Sequence, residues 1–312
     1  MRIVLPGALP DPRTARELLP HLPKTAPNLV AWLEQSRASR IVADPAHTYC
    51  TAWEYWQLLE HDFTPGPDQR YSAGLGPLFA DTSAPLPDTG IWLVELTHLS
   101  PSRDGAVLIP ARELNITAGQ SDALFRAAQP FFDETGFSVH PCTPTHWQVT
   151  LPEGYTPTFP SPQLVSTTTV NDWWRQDTAD RPWRRLANEL QMLWFDHPVN
   201  QQRYEQGQVP INNVWLFGGA RLAQFGTAPG NAAAVSDVDL RLLEPALAQN
   251  WNRWLELMGE LDGDVFGRLD RQSRITLTGL DQILNCTAEH RVWKRMLPGS
   301  KEAWKKWWLY QN

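Results

Sequence analysis

Apolar residues recur at helical spacing over some stretches of this chain and in short unbroken runs over others, and their alternation sets the predicted order of elements. Arg2-Ile3-Val4-Leu5 followed by Pro6-Gly7 reads as a strand near a sheet edge that enters a turn. Leu29, Trp32 and Leu33 predict a helix over 27–36 with Asn28 as its N-cap, and Trp53, Trp56 and Leu59 predict a second over 51–60. Between Phe63 and Gly90, clustered Pro, Gly, Asp and Ser predict a long surface loop, relieved by an apolar turn at 75–79. Such a loop is either mobile or functional.

The runs 91–96 and 106–109 read as strands of a hairpin closed by the Asp104-Gly105 signal. Leu124, Phe125, Ala128, Phe131 and Phe132 share one face of a helix over 121–135, which Pro130 should kink or end, and 146–151 returns to strand. The Pro- and Thr-rich stretch 152–170 suggests a division into 1–160 and 161–312, with a single domain as the alternative. Trp183, Leu186, Ala187, Leu190, Trp194 and His197 form the longest helical pattern; Pro198 kinks or restarts it, and Gly207 ends it. Val214-Trp215-Leu216-Phe217 is a buried-type strand running into Gly218-Gly219, and 245–259 is again helical. At 301–309, Trp304, Trp307 and Trp308 share a face beside Lys301, Lys305 and Lys306, which reads as a terminal helix docking on the core rather than a membrane-surface helix. The order predicts an α/β fold with a mixed or largely parallel sheet flanked by helices.

At 312 residues, with 42% hydrophobic and 20% charged, disorder and fibrous classes are excluded. No run reaches the roughly 18 to 20 apolar residues of a membrane span, and residues 1–12 lack a signal-peptide core, so a cytoplasmic protein without a membrane partner is expected. Three widely spaced cysteines suit neither a disulfide framework nor a Cys-rich zinc site. A formal charge of −7 argues against blanket nucleic-acid binding, and 16 tryptophans imply that large aromatics dominate the packing.

Candidate chemistry concentrates between 188 and 219. Asn200 and Arg203, three apart, are helical neighbours whose amide and guanidinium could hold a phosphate or carboxylate, and Gly218-Gly219 would let backbone N–H groups approach the same anion. The alternative makes Asn200 and Asn212 caps around Pro198 and Pro210, with Arg203 in a surface ion pair with Glu205. The eight histidines show no metal-type spacing, and His197 reads as a core residue with one hydrogen bond.

The run Asp196-His197-Pro198-Val199-Asn200, Arg203, Gly207, Pro210-Ile211-Asn212 and Trp215-Leu216-Phe217-Gly218-Gly219 resembles bacterial regulatory proteins of the RpfE type, grouped with cofactor-independent phosphoglycerate mutases. The resemblance implies an alkaline-phosphatase-like remnant, a small phosphorylated metabolite as ligand, room for a protein partner, and Asn200, Arg203, Asn212, Gly218, Gly219 and His197 as substrate-proximal residues. Lys24-Thr25-Ala26-Pro27-Asn28-Leu29 is similar to a Thr-Pro-Asn-Leu-Asp run of that superfamily. Here Pro6-Gly7 stands where the superfamily has a metal-binding Asp-Gly, and Val30 stands in place of the final Asp. Catalysis in such enzymes uses two divalent metals on several Asp and His side chains, so Mn²⁺ or Mg²⁺ is implied only for an active mutase, and no metal ligand can be named.

A second resemblance links the strand ending in Gly218-Gly219, followed by Ser236-Asp237-Val238-Asp239, to the nucleotidyltransferase signature, in which alternating carboxylates bind Mg²⁺. Gly219 replaces the usual Ser and the gap to Asp237 is long. The sequence therefore leads to a phosphoglycerate-mutase-like protein with an anion pocket, either a working mutase or one whose catalysis has degenerated. A non-catalytic ligand-sensing regulator and a nucleotidyltransferase using Asp237 and Asp239 are the alternatives.

Overall fold

The computed structural model of the protein describes residues 1–81, 87–103, 105–133, 135–174, 178–229, 237–289 and 302–309. Among them run ten strands: β1 (Arg2–Leu5), β2 (Ser36–Val42), β3 (Ile91–Ser102), β4 (Gly105–Ile109), β5 (Ser138–Pro141), β6 (His146–Thr150), β7 (Asn213–Ala220), β8 (Asp237–Val238), β9 (Arg274–Thr278) and β10 (Gln282–Ala288). They divide between two units, one made of the described residues of Met1–Pro45, Thr51–Trp56 and Ala233–Asn312, the other of those of Ala46–Cys50 and Gln57–Ala232. The expected boundary at 160/161 falls inside the second unit, because β3 and β7, from either side of it, pair along their length.

In the first unit the sheet order is β2-β10-β9-β1-β8. β1 runs parallel to both β8 and β9, while β9, β10 and β2 pair antiparallel, so the sheet is mixed. Apolar Ile3 and Leu5 alternate onto the face covered by the helices Pro27–Leu33 and Trp251–Asp264, and Leu29, Leu33, Trp254, Met258 and Leu261 complete that core. The Trp254 indole donates to the Gly7 carbonyl at 2.9 Å, which gives a wholly buried N–H its partner. The terminal helix Ala303–Trp308 docks Trp304 and Trp308 into the same core, as the sequence suggests. Lys301 and the Asp104 of the hairpin signal lie outside the described residues.

Three local expectations change here. The helix over 27–36 stops at Leu33, and Ser36 opens β2, a strand whose first five residues are small or charged and whose half-exposed pattern hid it from an apolar search. Asn28 is not the N-cap: the Asn28 and Leu29 N–H groups donate to the Asp262 carboxylate from the helix Trp251–Asp264, so that helix start is capped by a residue remote in sequence. The pattern over 245–259 splits into Leu243–Leu247 and Trp251–Asp264, since Gln249 adopts φ +53° and Asn250 then caps the second helix through the Arg253 N–H.

The second unit is built on β3. Its first half is sandwiched between β6 and β7 and its second half forms the hairpin with β4, while β5 extends the sheet beyond β6; every pairing is antiparallel. The helices Ala118–Asp133 and Arg181–Phe195 cover one face, where Leu124, Phe132, Trp183, Leu190 and Trp194 meet Trp147, Val214 and Leu216. Trp215, alternating to the other face, packs with Leu108, Val165 and Val170. Both faces of β7 are therefore covered and all eight of its residues are buried, the burial that its unbroken apolar run predicts. Pro130 lies inside its helix near the C-terminal end, where one missing N–H removes a single bond.

The fold is thus α/β with helix-flanked sheets, mixed in the first unit and antiparallel in the second; parallel pairing is confined to β8-β1-β9. Among the described residues no helix is long and apolar enough to cross a membrane.

Asp262→Ala removes an acceptor for three N–H donors and is expected to lower stability by about 2 kcal/mol. Urea denaturation followed by circular dichroism checks it: the midpoint falls while the slope is unchanged.

Candidate functional site

Asn200, Arg203, Asn212 and His197 sit where chain segments are fastened to one another. The helical pattern breaks at Phe195, and a second helix runs Pro198–Glu205. His197 is its N-cap, not a position within the long helix, and its Nδ1 accepts from the Val199 N–H at 3.2 Å. Asn200, 1% exposed, donates both amide protons, to the carbonyls of Trp194 and Ile211 at 2.8 and 2.7 Å, and accepts from the Ile211 N–H at 2.8 Å. Asn212 accepts from the Leu99 N–H at 2.7 Å and donates back to the Leu99 carbonyl at 3.0 Å, extending the β3–β7 pairing with a side chain.

Arg203 is equally buried, contrary to the exposure the sequence suggested. Its guanidinium donates to the Val209 carbonyl at 2.7 Å, to the Gln120 amide oxygen at 2.9 Å and to the Leu114 carbonyl, all neutral acceptors. Burial pulls its pKa down. With Nε and both terminal nitrogens engaged, this cation joins the loop before β7 to the helix Ala118–Asp133 and to the end of the short helix Ala111–Leu114.

Gly218 and Gly219 lie inside β7 rather than after it, at φ +99° and +111°. Ile91 faces Ala220 and Trp92 faces Gly218, leaving Gly219 as the extra residue of a β-bulge. A Cβ at 218 would stand 2.6 Å from the Ile91 carbonyl oxygen and 2.9 Å from the Gly76 Cα; at 219 it would stand 2.4 Å from the Trp92 ring. Only glycine lets these three backbone segments and the indole come this close.

The bulge opens on a cleft of about 590 Å³, built wholly within the second unit and of the size that holds small-molecule ligands. Gly218 and Gly219 line it, with Trp92, Arg70, Arg221 and the strip 156–159. An amide network fixes one wall. Gln69 donates to the Gly219 carbonyl at 3.0 Å and accepts from the Gly66 N–H at 3.0 Å and from Gln224 at 2.7 Å. Gln224 in turn accepts from the Arg221 N–H at 2.8 Å. Arg70 and Arg221 thus extend from anchored backbone, and their exposed guanidinium groups carry no ion pair or hydrogen bond among the described residues. Arg70 rests over the Tyr49 ring, 5.4 Å from its centroid, which holds a cation without neutralising it.

Of the sequence-predicted residues, the structure brings Gly218 and Gly219 to this cleft; Asn200, Arg203, Asn212 and His197 do not line it. Arg70, Arg221, Gln69 and Gln224 were missed. The signal that could have found Gln69 and Arg70 was the Pro/Gly-rich segment after Phe63, read as either mobile or functional.

Asp237 and Asp239 belong to the first unit. Asp239 is held by the Arg241 guanidinium at 2.8 Å and also accepts the Arg241 N–H, and these bonds hold its carboxyl below the usual range. Arg241 also reaches Asp264 at 2.9 Å. Among the described residues no group of three or more His, Cys, Asp and Glu side chains comes together as a metal centre.

No family model matches the chain. It is similar to the probable 2,3-bisphosphoglycerate-independent phosphoglycerate mutase of Geobacter sulfurreducens, 26% identical over 152 residues, which are 47% of this chain. The match spans 38% of that protein's length. Among solved structures it aligns with a cofactor-independent phosphoglycerate mutase of Thermoplasma acidophilum at 14% identity, covering 93% of this chain and 90% of that one, with a TM-score of 0.33. A Pyrococcus horikoshii protein aligns at 13% identity over 92% of this chain and 86% of its own, with a TM-score of 0.38.

Arg203→Ala is expected to cost about 3 kcal/mol of stability, because it strips buried acceptors of their donor; the loss is read as a lowered urea midpoint. His197 should make stability pH-dependent. Burial lowers its pKa from the usual 6.5, so its contribution is complete above that value and is lost as pH falls through the lower folded value. Protonation of Nδ1 removes the acceptor of the Val199 N–H. His197→Asn keeps a cap and should flatten the stability slope below pH 6.5, measured by thermal melts across that range.

Proposed function

We propose that this protein is a phosphoglycerate-mutase-like ligand-binding protein that takes a small phosphorylated metabolite in the cleft at the β7 bulge, and that it senses this ligand rather than turning it over. The observation that carries the reading is the pair of exposed guanidinium groups of Arg70 and Arg221, without an ion pair among the described residues, beside the glycine bulge in a chain whose overall charge is −7. Cations on anchored backbone are suited to phosphate, to which Arg can donate two parallel hydrogen bonds. The partial similarity to a probable phosphoglycerate mutase supports the choice of a phosphate ester over other anions.

The non-catalytic half of the proposal rests on donor chemistry. Where the resembling enzymes place a metal-binding Asp this chain has buried Pro6, whose side chain cannot bind a metal, and buried Val30 replaces the final Asp of their Thr-Pro-Asn-Leu-Asp run. The regulatory, RpfE-type character suggested by residues 188–219 agrees with sensing. In this reading the segment containing Asn200, Arg203 and Asn212 positions β7, and so the bulge, while the ligand meets Gly218, Gly219 and the two arginines. The nucleotidyltransferase alternative loses its support, since Asp239 is neutralised by Arg241.

Titration calorimetry with 3-phosphoglycerate, alongside an assay for 2-phosphoglycerate in Mn²⁺ or Mg²⁺, tests both halves. Binding without turnover is expected, with affinity falling as salt rises because the cations are exposed and screened. Turnover would make the protein an active mutase, and absence of binding would remove the phosphate-ester reading.

A further inference from the structure

The cleft is larger and more varied than a three-carbon phosphate requires. Its volume of about 590 Å³ lies in the range that encloses drug-sized ligands, several times the bulk of a triose phosphate. Its wall is rich in donors that lack partners among the described residues: the Arg70 and Arg221 guanidinium groups, the Trp92 indole N–H and the Thr156 and Thr158 hydroxyls. Asp68 is its one carboxylate. A wall of this kind suits a ligand that mainly accepts hydrogen bonds and carries more than one negative charge.

Trp92 adds a second requirement. Its ring lies against Gly219, where any side chain would overlap it, so the indole is held in place by the bulge instead of turning freely. The indole also packs against the core beneath the helices Ala118–Asp133 and Arg181–Phe195, and the part of it that lines the cleft offers a held aromatic surface on which a planar ring can stack with little loss of rotamer freedom.

We propose that the ligand of this cleft is a nucleoside diphosphate, with its phosphates on Arg70 and Arg221 and its base on Trp92. The inference rests on the phosphate-binding reading above and specifies its ligand class. The phosphates take up the two guanidinium charges, the ribose oxygens meet the threonine hydroxyls, and the base covers the indole.

Titration calorimetry on the full chain with ADP, UDP, pyrophosphate, adenosine and 3-phosphoglycerate separates the claims. ADP or UDP is expected to bind about tenfold more tightly than pyrophosphate or 3-phosphoglycerate, the gain of one stacked base, and adenosine to bind weakly or not at all. Trp92→Leu, checked for folding by its melting curve, should bring nucleotide affinity down to that of pyrophosphate while leaving pyrophosphate binding unchanged. Nucleotides binding no more tightly than pyrophosphate would overturn the nucleotide assignment and leave the phosphate site standing. Failure of every phosphate-bearing ligand to bind would overturn both readings. Should Trp92→Leu fail to fold, the comparison of ligands on the unaltered protein decides the matter.

Discussion

Three stretches of backbone meet at one point in the second unit: Gly76 in the short helix Leu75–Phe79, Ile91 at the start of β3 and Gly218 in β7. A Cβ at 76 would lie 2.0 Å from the Ile91 carbonyl oxygen, and one at 218 would meet both Ile91 and Gly76. This contact lets β7 enter the sheet beside β3 and bulge at Gly219, and the bulge places the Trp92 indole and the Gln69 anchor. The cleft follows from a steric condition that two glycines satisfy and no other residue can.

The polar groups the sequence marks as chemistry serve this arrangement from a distance. Asn200 ties the end of the long helix to Ile211, Asn212 completes the edge of the β3–β7 ladder, and Arg203 holds the intervening loop through neutral acceptors. Each has its hydrogen-bonding groups directed to backbone or to Gln120, which is how a buried polar residue avoids an unsatisfied penalty. In the proposed reading binding falls instead to Arg70 and Arg221, which are anchored at their backbone and whose guanidinium groups carry no ion pair among the described residues. A site whose scaffold is rigid and whose charges remain solvated can exchange water for a ligand without breaking an existing ion pair.

Much of this was legible in the chain, in proportion to how far periodicity carried the information. The stripe Trp183, Leu186, Leu190 and Trp194 and the run Val214 to Phe217 gave a helix and a strand because burial on one face or on both leaves a period behind. β2 left none, since Ser36 to Arg40 are small or charged and only Ile41 and Val42 are large and apolar. The cap of the helix Pro27–Leu33 came from Asp262, more than two hundred positions away, and no local window contains such a pairing. The candidate site divided the same way. Gly218 and Gly219 stood out beside a strong strand, whereas Arg70 and Arg221 lie on irregular segments brought together by a glutamine network that has no spacing to read. Of the motif from 188 to 219, Gly218 and Gly219 line the cleft, while Asn200, Arg203 and Asn212 tie the segments around β7 together.

The measurement that bears most directly on this account is a crystal structure of the protein soaked in tungstate, a heavy tetrahedral mimic of phosphate. The account predicts an anomalous peak in the cleft, against the Arg70 and Arg221 guanidinium groups, with Asn200, Arg203 and Asn212 keeping their backbone partners. A peak beside Asn200 and Arg203 with the cleft vacant would contradict it.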